Sequence, residues 1–162
     1  MKFNLTCLAL ILCLFTSCQQ NPATLTTEQV TAEKDSVLRL ADATAKDVSA
    51  RGPIAWLDHF ENSPHFFMAN DGFLALPDYK TAESFVKETL VKQLRSINLH
   101  WSAIRVEALT PEFAIMAANY YEDITDNTNK TTVYKGYLTA TVQHTAKGWK
   151  FLNVHWSGKS GK

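Results

Sequence analysis

The stretch Gly148-Trp149-Lys150-Phe151-Leu152-Asn153-Val154-His155-Trp156-Ser157 decides the fold of this chain, because it alternates in character along its length. Alternation with period two over aromatic and branched residues predicts a β-strand. One face of this strand begins apolar and ends in three polar groups, so it is expected to run from a packed core into a polar recess. That face consists of Trp149, Phe151, Asn153, His155 and Ser157, and the opposite face of Lys150, Leu152, Val154 and Trp156.

Length and composition favour one domain with a substantial core, since 162 residues are 46% hydrophobic and 20% charged. The 16 basic and 16 acidic residues cancel, and no local basic cluster stands out. Binding to nucleic acid is therefore not expected, because it requires a basic surface.

The N-terminus has the features of an export signal. Met1-Lys2 gives a positive start, and the apolar run from Leu5 to Phe15 is too short to span a bilayer but suits a signal peptide. The run ends in Leu-Phe-Thr-Ser-Cys18, which resembles a bacterial lipobox, in which the cysteine becomes lipidated. We predict a signal peptide at 1–17, a lipidated Cys18 with a linker at 18–26, and a domain at 27–162. The alternative is an ordinary signal peptide with a chance cysteine.

The cysteines agree with that interpretation. Cys7 and Cys13 lie in the segment to be removed and Cys18 is the lipid site, so the mature domain is expected to have no disulfide and no thiolate ligand. An export signal without a disulfide framework favours a bacterial cell envelope. The predicted location is a lipid-anchored one, at the outer membrane, on its periplasmic side or at the surface.

Helical patterns come first along the domain and strand patterns follow. A helix is predicted from Thr27 to Ala50, with a capping box between Thr26 and Gln29. Further helices are predicted at 54–60 and 80–95, on either side of a hairpin at 65–76 that turns at Asp-Gly. Four strands with short connections follow, which predicts an α+β fold with an antiparallel sheet. They span 99–108, 113–124, 132–144 and 149–157.

This order of elements resembles the NTF2-like superfamily, in particular its SnoaL-like branch. Three stretches carry the resemblance: Phe66–Gly72, Leu109–Ala114 and Gly148–Ser157. The resemblance implies a cone, in which helices pack into a curved antiparallel sheet and leave a pocket at the open end. Many members of the superfamily dimerise through the outer face of the sheet.

The two faces of the last strands set a choice between core and interface. If the helices cover the mixed face, the apolar face is left open, and an apolar patch of that size marks an interface. We therefore predict a homodimer through the apolar face. The alternative is that the apolar face is the core and the mixed face is in solvent. The predicted interface consists of Leu138, Ala140, Val142, Leu152, Val154 and Trp156.

Two ionisable residues are the main candidates for the pocket. The resemblance places Glu122 on the inward face of its strand, where burial would raise the pKa of its carboxyl; the alternative is a position at the rim in water. His155 is expected beyond the packed part of the last strand, as a general base or hydrogen-bond donor, or else as a structural imidazole. The other candidates for ligand binding are Asn153, Tyr120, Tyr137 and Trp56.

Three functions remain open at this stage. The first is a lipid-anchored module that binds a small organic molecule in the cone. The second is an isomerase, cyclase or dehydratase that uses His155 or Glu122 as its base and Tyr120 or Tyr137 as a donor. The third is a dimeric assembly module with a filled cone. No His-x-His, His-x-x-x-His or cysteine pair and no glycine-rich phosphate loop occurs, so neither metal nor cofactor is expected.

Overall fold

The computed structural model describes residues 25–160, and helices precede most of the sheet within them. Helix α1 (Thr27–Arg51) is followed by a 3-10 turn (Pro53–Ala55) and the short helix α2 (Trp56–His59). After the first two strands come α3 (Tyr79–Phe85), a π-helical segment (Val86–Leu90) and α4 (Val91–Gln93). The predicted signal peptide and Cys18 lie outside the described residues. No helix within them is long and apolar enough to cross a membrane.

Helix α1 begins and ends where its sequence predicts. The hydroxyl of Thr26 accepts a hydrogen bond from the Gln29 amide at 3.2 Å, and the Gln29 side chain accepts one from the Thr26 amide at 2.8 Å, so the capping box is present. Gly52 follows the helix with a positive φ of 74°, which glycine adopts without strain. One face of the helix is buried against the sheet through Val37, Leu40, Ala41, Thr44 and Val48.

Six strands form one sheet in the order β2-β1-β6-β5-β4-β3. The hairpin β1–β2 turns at Asp71 and Gly72, both at positive φ, as the Asp-Gly pair predicts. The sheet is mixed, because β1 pairs in parallel with β6 while every other pair is antiparallel. The α+β cone with helices on a curved sheet is confirmed. The strands are β1 (Phe67–Asn70), β2 (Phe73–Leu76), β3 (Leu94–Thr110), β4 (Phe113–Asp126), β5 (Thr131–Thr145) and β6 (Gly148–Ser160).

A β-bulge in β6 overturns the predicted faces of that strand. Val142 of β5 pairs with Phe151 and Thr141 pairs with Asn153, so Leu152 is an extra residue without a partner. An extra residue shifts the alternation by one position. Phe151 before the bulge faces the core, as predicted, but after the bulge Val154 and Trp156 face it instead of Asn153 and His155.

The predicted dimer interface is therefore on the wrong face. Leu138, Ala140 and Val142 of β5 are between 0% and 4% exposed, and Val154 and Trp156 of β6 belong to the same core. Leu152 is also buried. These side chains are covered within one protomer, and the alternative, in which the apolar face is the core, describes the structure.

Candidate functional site

An open cavity lies at one end of the sheet, beyond the part covered by α1. Its deeper part, which we call the apolar compartment, has a volume of about 200 Å³. Ligand sites usually measure roughly 300–1,000 Å³, so this compartment accommodates the apolar part of a small organic molecule and not a whole drug-sized ligand. Six side chains line only this compartment: Trp56, Phe60, Val86, Leu90, Leu94 and Ile97.

A second part of the cavity, the polar compartment, continues from the first and has a volume of about 450 Å³. Six residues line both compartments and so mark the passage between them: Met68, Leu76, Phe85, Glu122, Ile124 and Trp156. Six more line only the polar compartment: Asn70, Asp71, Ala75, Tyr120, Tyr134 and Gly158. Among the described residues, Glu122 is thus the one ionisable side chain in the wall of the apolar compartment.

The carboxyl of Glu122 is in an unusual environment for an acid. Burial disfavours its charged form and raises the pKa of Glu122 to about 7. Within residues 25–160, no hydrogen bond or ion pair joins this carboxyl to another protein group. The side chain can therefore hold or release a proton near neutral pH, and its oxygen atoms are available to a molecule in the cavity.

Tyr120 lies two residues before Glu122 on the same face of β4, and two glycines make room for its ring. A Cβ atom on Gly136 would lie 2.7 Å from the Tyr120 ring, and one on Gly158 would lie 2.5 Å from its hydroxyl oxygen. The phenol therefore crosses β5 and β6 where both strands lack side chains. Burial, with the nearby carboxylates of Glu122 and Asp71, raises the pKa of Tyr120 to about 12. The hydroxyl thus remains protonated at physiological pH and can donate a hydrogen bond.

Trp156 forms the wall between the cavity and the core. Its ring packs edge-on against the rings of Tyr120 and Trp56, with centroids 4.7 Å and 5.5 Å away. It also stacks on the ring of Trp101, with a centroid distance of 5.8 Å. The indole nitrogen of Trp101 donates to the carbonyl of Ala41 in α1 at 3.0 Å, which fixes this group to the helix. The sequence interpretation missed Trp156 as a cavity residue because the bulge at Leu152 reverses its face.

The predicted site residues divide into two groups. Glu122, Tyr120 and Trp56 line the cavity together. His155, Asn153 and Tyr137 lie on the outer face of the sheet and line neither compartment, so their predicted placement in the pocket is wrong.

The outer group makes contacts of a structural kind. His155 is exposed and pairs with Thr139 in the sheet. The side-chain amide of Asn153 donates to the carbonyl of His65 at 2.7 Å, and the hydroxyl of Ser157 donates to the carbonyl of Tyr137 at 3.1 Å. These bonds hold the loop before β1 and the β5–β6 pair in place.

The sequence interpretation missed one pair of an acid and a histidine. Nε2 of the buried His59 lies 3.0 Å from a carboxylate oxygen of Asp47, twelve residues earlier in α1. Burial lowers the pKa of His59, although the Asp47 carboxylate opposes this shift. Beside this pair, the guanidinium of Arg51 donates a hydrogen bond of 2.6 Å to the carboxylate of Asp58. This cluster joins α1 to α2 and lines neither compartment, so we assign it a structural role.

The π-helical segment supplies one wall of the apolar compartment. Val86 and Leu90, its first and last residues, both line the compartment, next to Phe85 of α3. A π-helical turn widens a helix locally and occurs often at functional sites. The sequence predicts one continuous helix at 80–95, because apolar periodicity does not distinguish a π turn from an α turn. Within the described residues, no three acidic, histidine or cysteine side chains are arranged to hold a metal ion.

Comparisons with known proteins support the fold. No model of a known protein family matches the sequence, and no curated protein matches it in sequence. Among solved structures, a protein proposed to be a scytalone dehydratase from Novosphingobium aromaticivorans superposes with a TM-score of 0.71 at 13% identity, covering 83% of this chain and 89% of that one. A nuclear transport factor 2-like superfamily protein from Salmonella enterica superposes with a TM-score of 0.68 at 15% identity, covering 82% of this chain and 94% of that one. A hexachlorocyclohexane dehydrochlorinase, LinA-type3, from Novosphingobium barchaimii superposes with a TM-score of 0.64 at 11% identity, covering 85% of this chain and 92% of that one.

The helices, the curved sheet and the open cavity define an α+β cone protein with an internal cavity of ligand size. The chain has the NTF2-like fold, as the three sequence stretches indicated and the solved structures confirm. At identities this low, the likeness establishes the fold alone.

Proposed function

We propose that the protein binds a small organic molecule, whose apolar body occupies the apolar compartment and whose polar group contacts Glu122. The observation that carries this proposal is an open apolar compartment of about 200 Å³ in whose wall Glu122 is the one ionisable side chain among the described residues. Ligand sites are mostly apolar, with a few placed polar groups that orient the ligand. An open cavity also favours binding over an assembly module with a filled cone.

A block of the apolar compartment tests this function. Leu90 is half-buried in its wall, so L90W is expected to fill part of the space. We expect the neutral apolar fluorophore N-phenyl-1-naphthylamine to bind the unmodified protein with a rise in emission, and L90W to weaken binding roughly tenfold or more, which is about 1.4 kcal/mol. Fluorescence titration measures both.

The matched control is I115W, because Ile115 is 43% exposed and lines neither compartment. This variant adds the same indole without entering the cavity and should bind the fluorophore like the unmodified protein. Equal weakening in both variants, or no effect of L90W, would show that the fluorophore binds elsewhere and would remove the support for a cavity ligand.

A catalytic function is the second candidate, and one pair of side chains favours it. Glu122 is an acid whose pKa is raised to about 7, and Tyr120 on the same face holds a protonated hydroxyl. A base near neutrality and a hydrogen-bond donor are the two groups that removal of a proton next to a carbonyl requires. Two of the similar structures are a proposed dehydratase and a dehydrochlorinase, so a catalytic function also has support from analogy of fold.

We also propose that Cys18 carries a lipid that anchors the protein in a bacterial cell envelope. The support is the short apolar run followed by Thr-Ser-Cys18 and a polar linker. The intact mass of membrane-extracted protein is expected to show the chain beginning at Cys18 with a diacyl or triacyl group. An unmodified mature chain in the soluble periplasmic fraction would contradict the proposal.

A further inference from the structure

The charges in the cavity wall are all of one sign. Glu122 and Asp71 are the two acids that line it, and Tyr120 and Tyr134 are its other titratable groups. No lysine, arginine or histidine among the described residues lines either compartment. Lys92 and Lys130 lie in a neighbouring groove, together with Asp126. An anionic ligand would find no counter-charge in the cavity and would be repelled by its acids.

The two acids differ in what they have left to offer a ligand. One oxygen of Asp71 already accepts a hydrogen bond from the Gly158 amide at 2.8 Å, which holds the β1–β2 turn against β6. Glu122 has no such partner within residues 25–160, although it sits among Ile124, Leu76 and Trp156. A carboxylate in apolar surroundings is costly unless a cation or hydrogen-bond donors pair with it. The protein leaves that pairing to the ligand.

The remaining walls are suited to a positive charge. Aromatic rings attract cations over their faces, most strongly when water is excluded. Six of the lining side chains are aromatic, and two of them, Phe85 and Trp156, line the passage together with Glu122. The six are Trp56, Phe60, Phe85, Tyr120, Tyr134 and Trp156.

We propose that the ligand is an apolar amine: a molecule with an aromatic or alicyclic body and a protonated amino group that donates to Glu122. This inference rests on the proposed binding function and specifies the chemical class of its ligand. The body occupies the apolar compartment, and the ammonium group lies in the passage, which Glu122 lines together with Phe85 and Trp156.

A pH dependence with a defined sign follows. The free protein holds a proton on Glu122 below about pH 7, because burial raises its pKa. An ammonium group binds the carboxylate and not the protonated acid, so the affinity for an amine rises as the pH rises through that value. The amine itself stays charged over this range, since the pKa of a primary alkyl amine lies near 10. The affinity for a neutral ligand of the same shape is expected not to rise over this pH range.

Three indoles of similar shape and different charge make the test. Tryptamine is cationic, tryptophol is neutral and indole-3-acetate is anionic. Each is titrated as a competitor against N-phenyl-1-naphthylamine bound to the purified protein, at pH 5.5 and at pH 8.5. We expect tryptamine to bind most tightly at pH 8.5 and indole-3-acetate most weakly. Between the two pH values the affinity for tryptamine should rise by a factor of up to about 30, the limit when only the carboxylate form binds and the pKa is about 7.

The variant E122Q removes the charge and keeps the shape. Its stability should not suffer above neutral pH, because a carboxyl with a raised pKa contributes stability that is lost as the pH rises through that pKa, and glutamine has no such loss. In E122Q, tryptamine should lose its advantage over tryptophol and its rise with pH. The matched control is E107Q, because Glu107 is 70% exposed and lies outside the cavity.

The outcomes separate this inference from the function on which it rests. If tryptophol or indole-3-acetate binds as tightly as tryptamine at pH 8.5, the cavity binds apolar molecules but does not select amines, and the inference is wrong. The same conclusion follows if E122Q retains the preference, or if the fluorophore binds and no indole displaces it. If the fluorophore itself does not bind, the proposed function fails as well.

Discussion

Replacing Gly136 with alanine is expected to destabilise the protein by more than about 3 kcal/mol, because the new methyl group has nowhere to go. A Cβ atom at this position would lie 1.9 Å from the backbone carbonyl oxygen of Ser157 and 2.7 Å from the ring of Tyr120. The oxygen belongs to the neighbouring strand β6, so relief of the clash requires β5 and β6 to separate at this point. Chemical denaturation followed by tryptophan fluorescence measures the loss.

Gly158 offers a matched comparison on the partner strand. A Cβ atom on Gly158 would lie 2.5 Å from the hydroxyl oxygen of Tyr120 and only in ordinary contact, at 3.6 Å, with the carbonyl of Lys135. G158A should therefore be rescued in part by Y120F, which removes that hydroxyl, while G136A should not be rescued by the same change. This difference is a non-additivity that a double-mutant cycle detects. If G136A lies within about 1 kcal/mol of the unmodified protein, the close approach of β5 and β6 is wrong.

Replacing Trp156 with alanine is expected to destabilise the protein by about 3–5 kcal/mol. The indole is 9% exposed and packs against Trp56, Trp101 and Tyr120, so its removal leaves a large void between the cavity and the core. Thermal and chemical denaturation should both report the loss. The fluorophore should also bind differently, because Trp156 lines both compartments.

His155→Ala is the control for this change, since the two residues are adjacent in β6 and lie on opposite faces. His155 is exposed, so H155A should change the stability by less than about 0.5 kcal/mol and leave binding of the fluorophore unaltered. If H155A has a large effect and W156A a small one, His155 faces the core and Trp156 does not, as unbroken alternation predicts. That result would contradict the bulge at Leu152.

The fold follows well from the sequence, because strong local signals mark its elements. Thr26 and Gln29 mark the start of α1, and Asp71-Gly72 marks the first hairpin. On β4, alternation is regular from Ala114 to Tyr120, and the residues predicted to face inward are buried there. The family resemblance predicts which face points inward, and the regular alternation extends that face to Tyr120 and Glu122, which line the cavity.

The errors have one physical origin, an irregular backbone that side-chain patterns do not reveal. Leu152 is an ordinary apolar residue in an apolar run, and nothing in its neighbours signals that it lacks a partner on β5. One unpaired residue moved His155 out of the pocket and Trp156 into it. Strand β3 likewise starts at Leu94 instead of 99, because Leu94 to Asn98 is as consistent with the end of a helix as with a strand.

The parallel pairing of β1 with β6 has a consequence for the order in which the molecule takes shape during synthesis. Phe67 pairs with Asn153, 86 residues later (153 − 67), and β6 is the last of the described strands to leave the ribosome. Until then the β1–β2 hairpin has no neighbour in the sheet beyond itself, and a two-stranded hairpin is only marginally stable alone. Assembly of the cavity therefore waits for nearly the whole domain, which makes it a late event and one that depends on contacts distant in sequence.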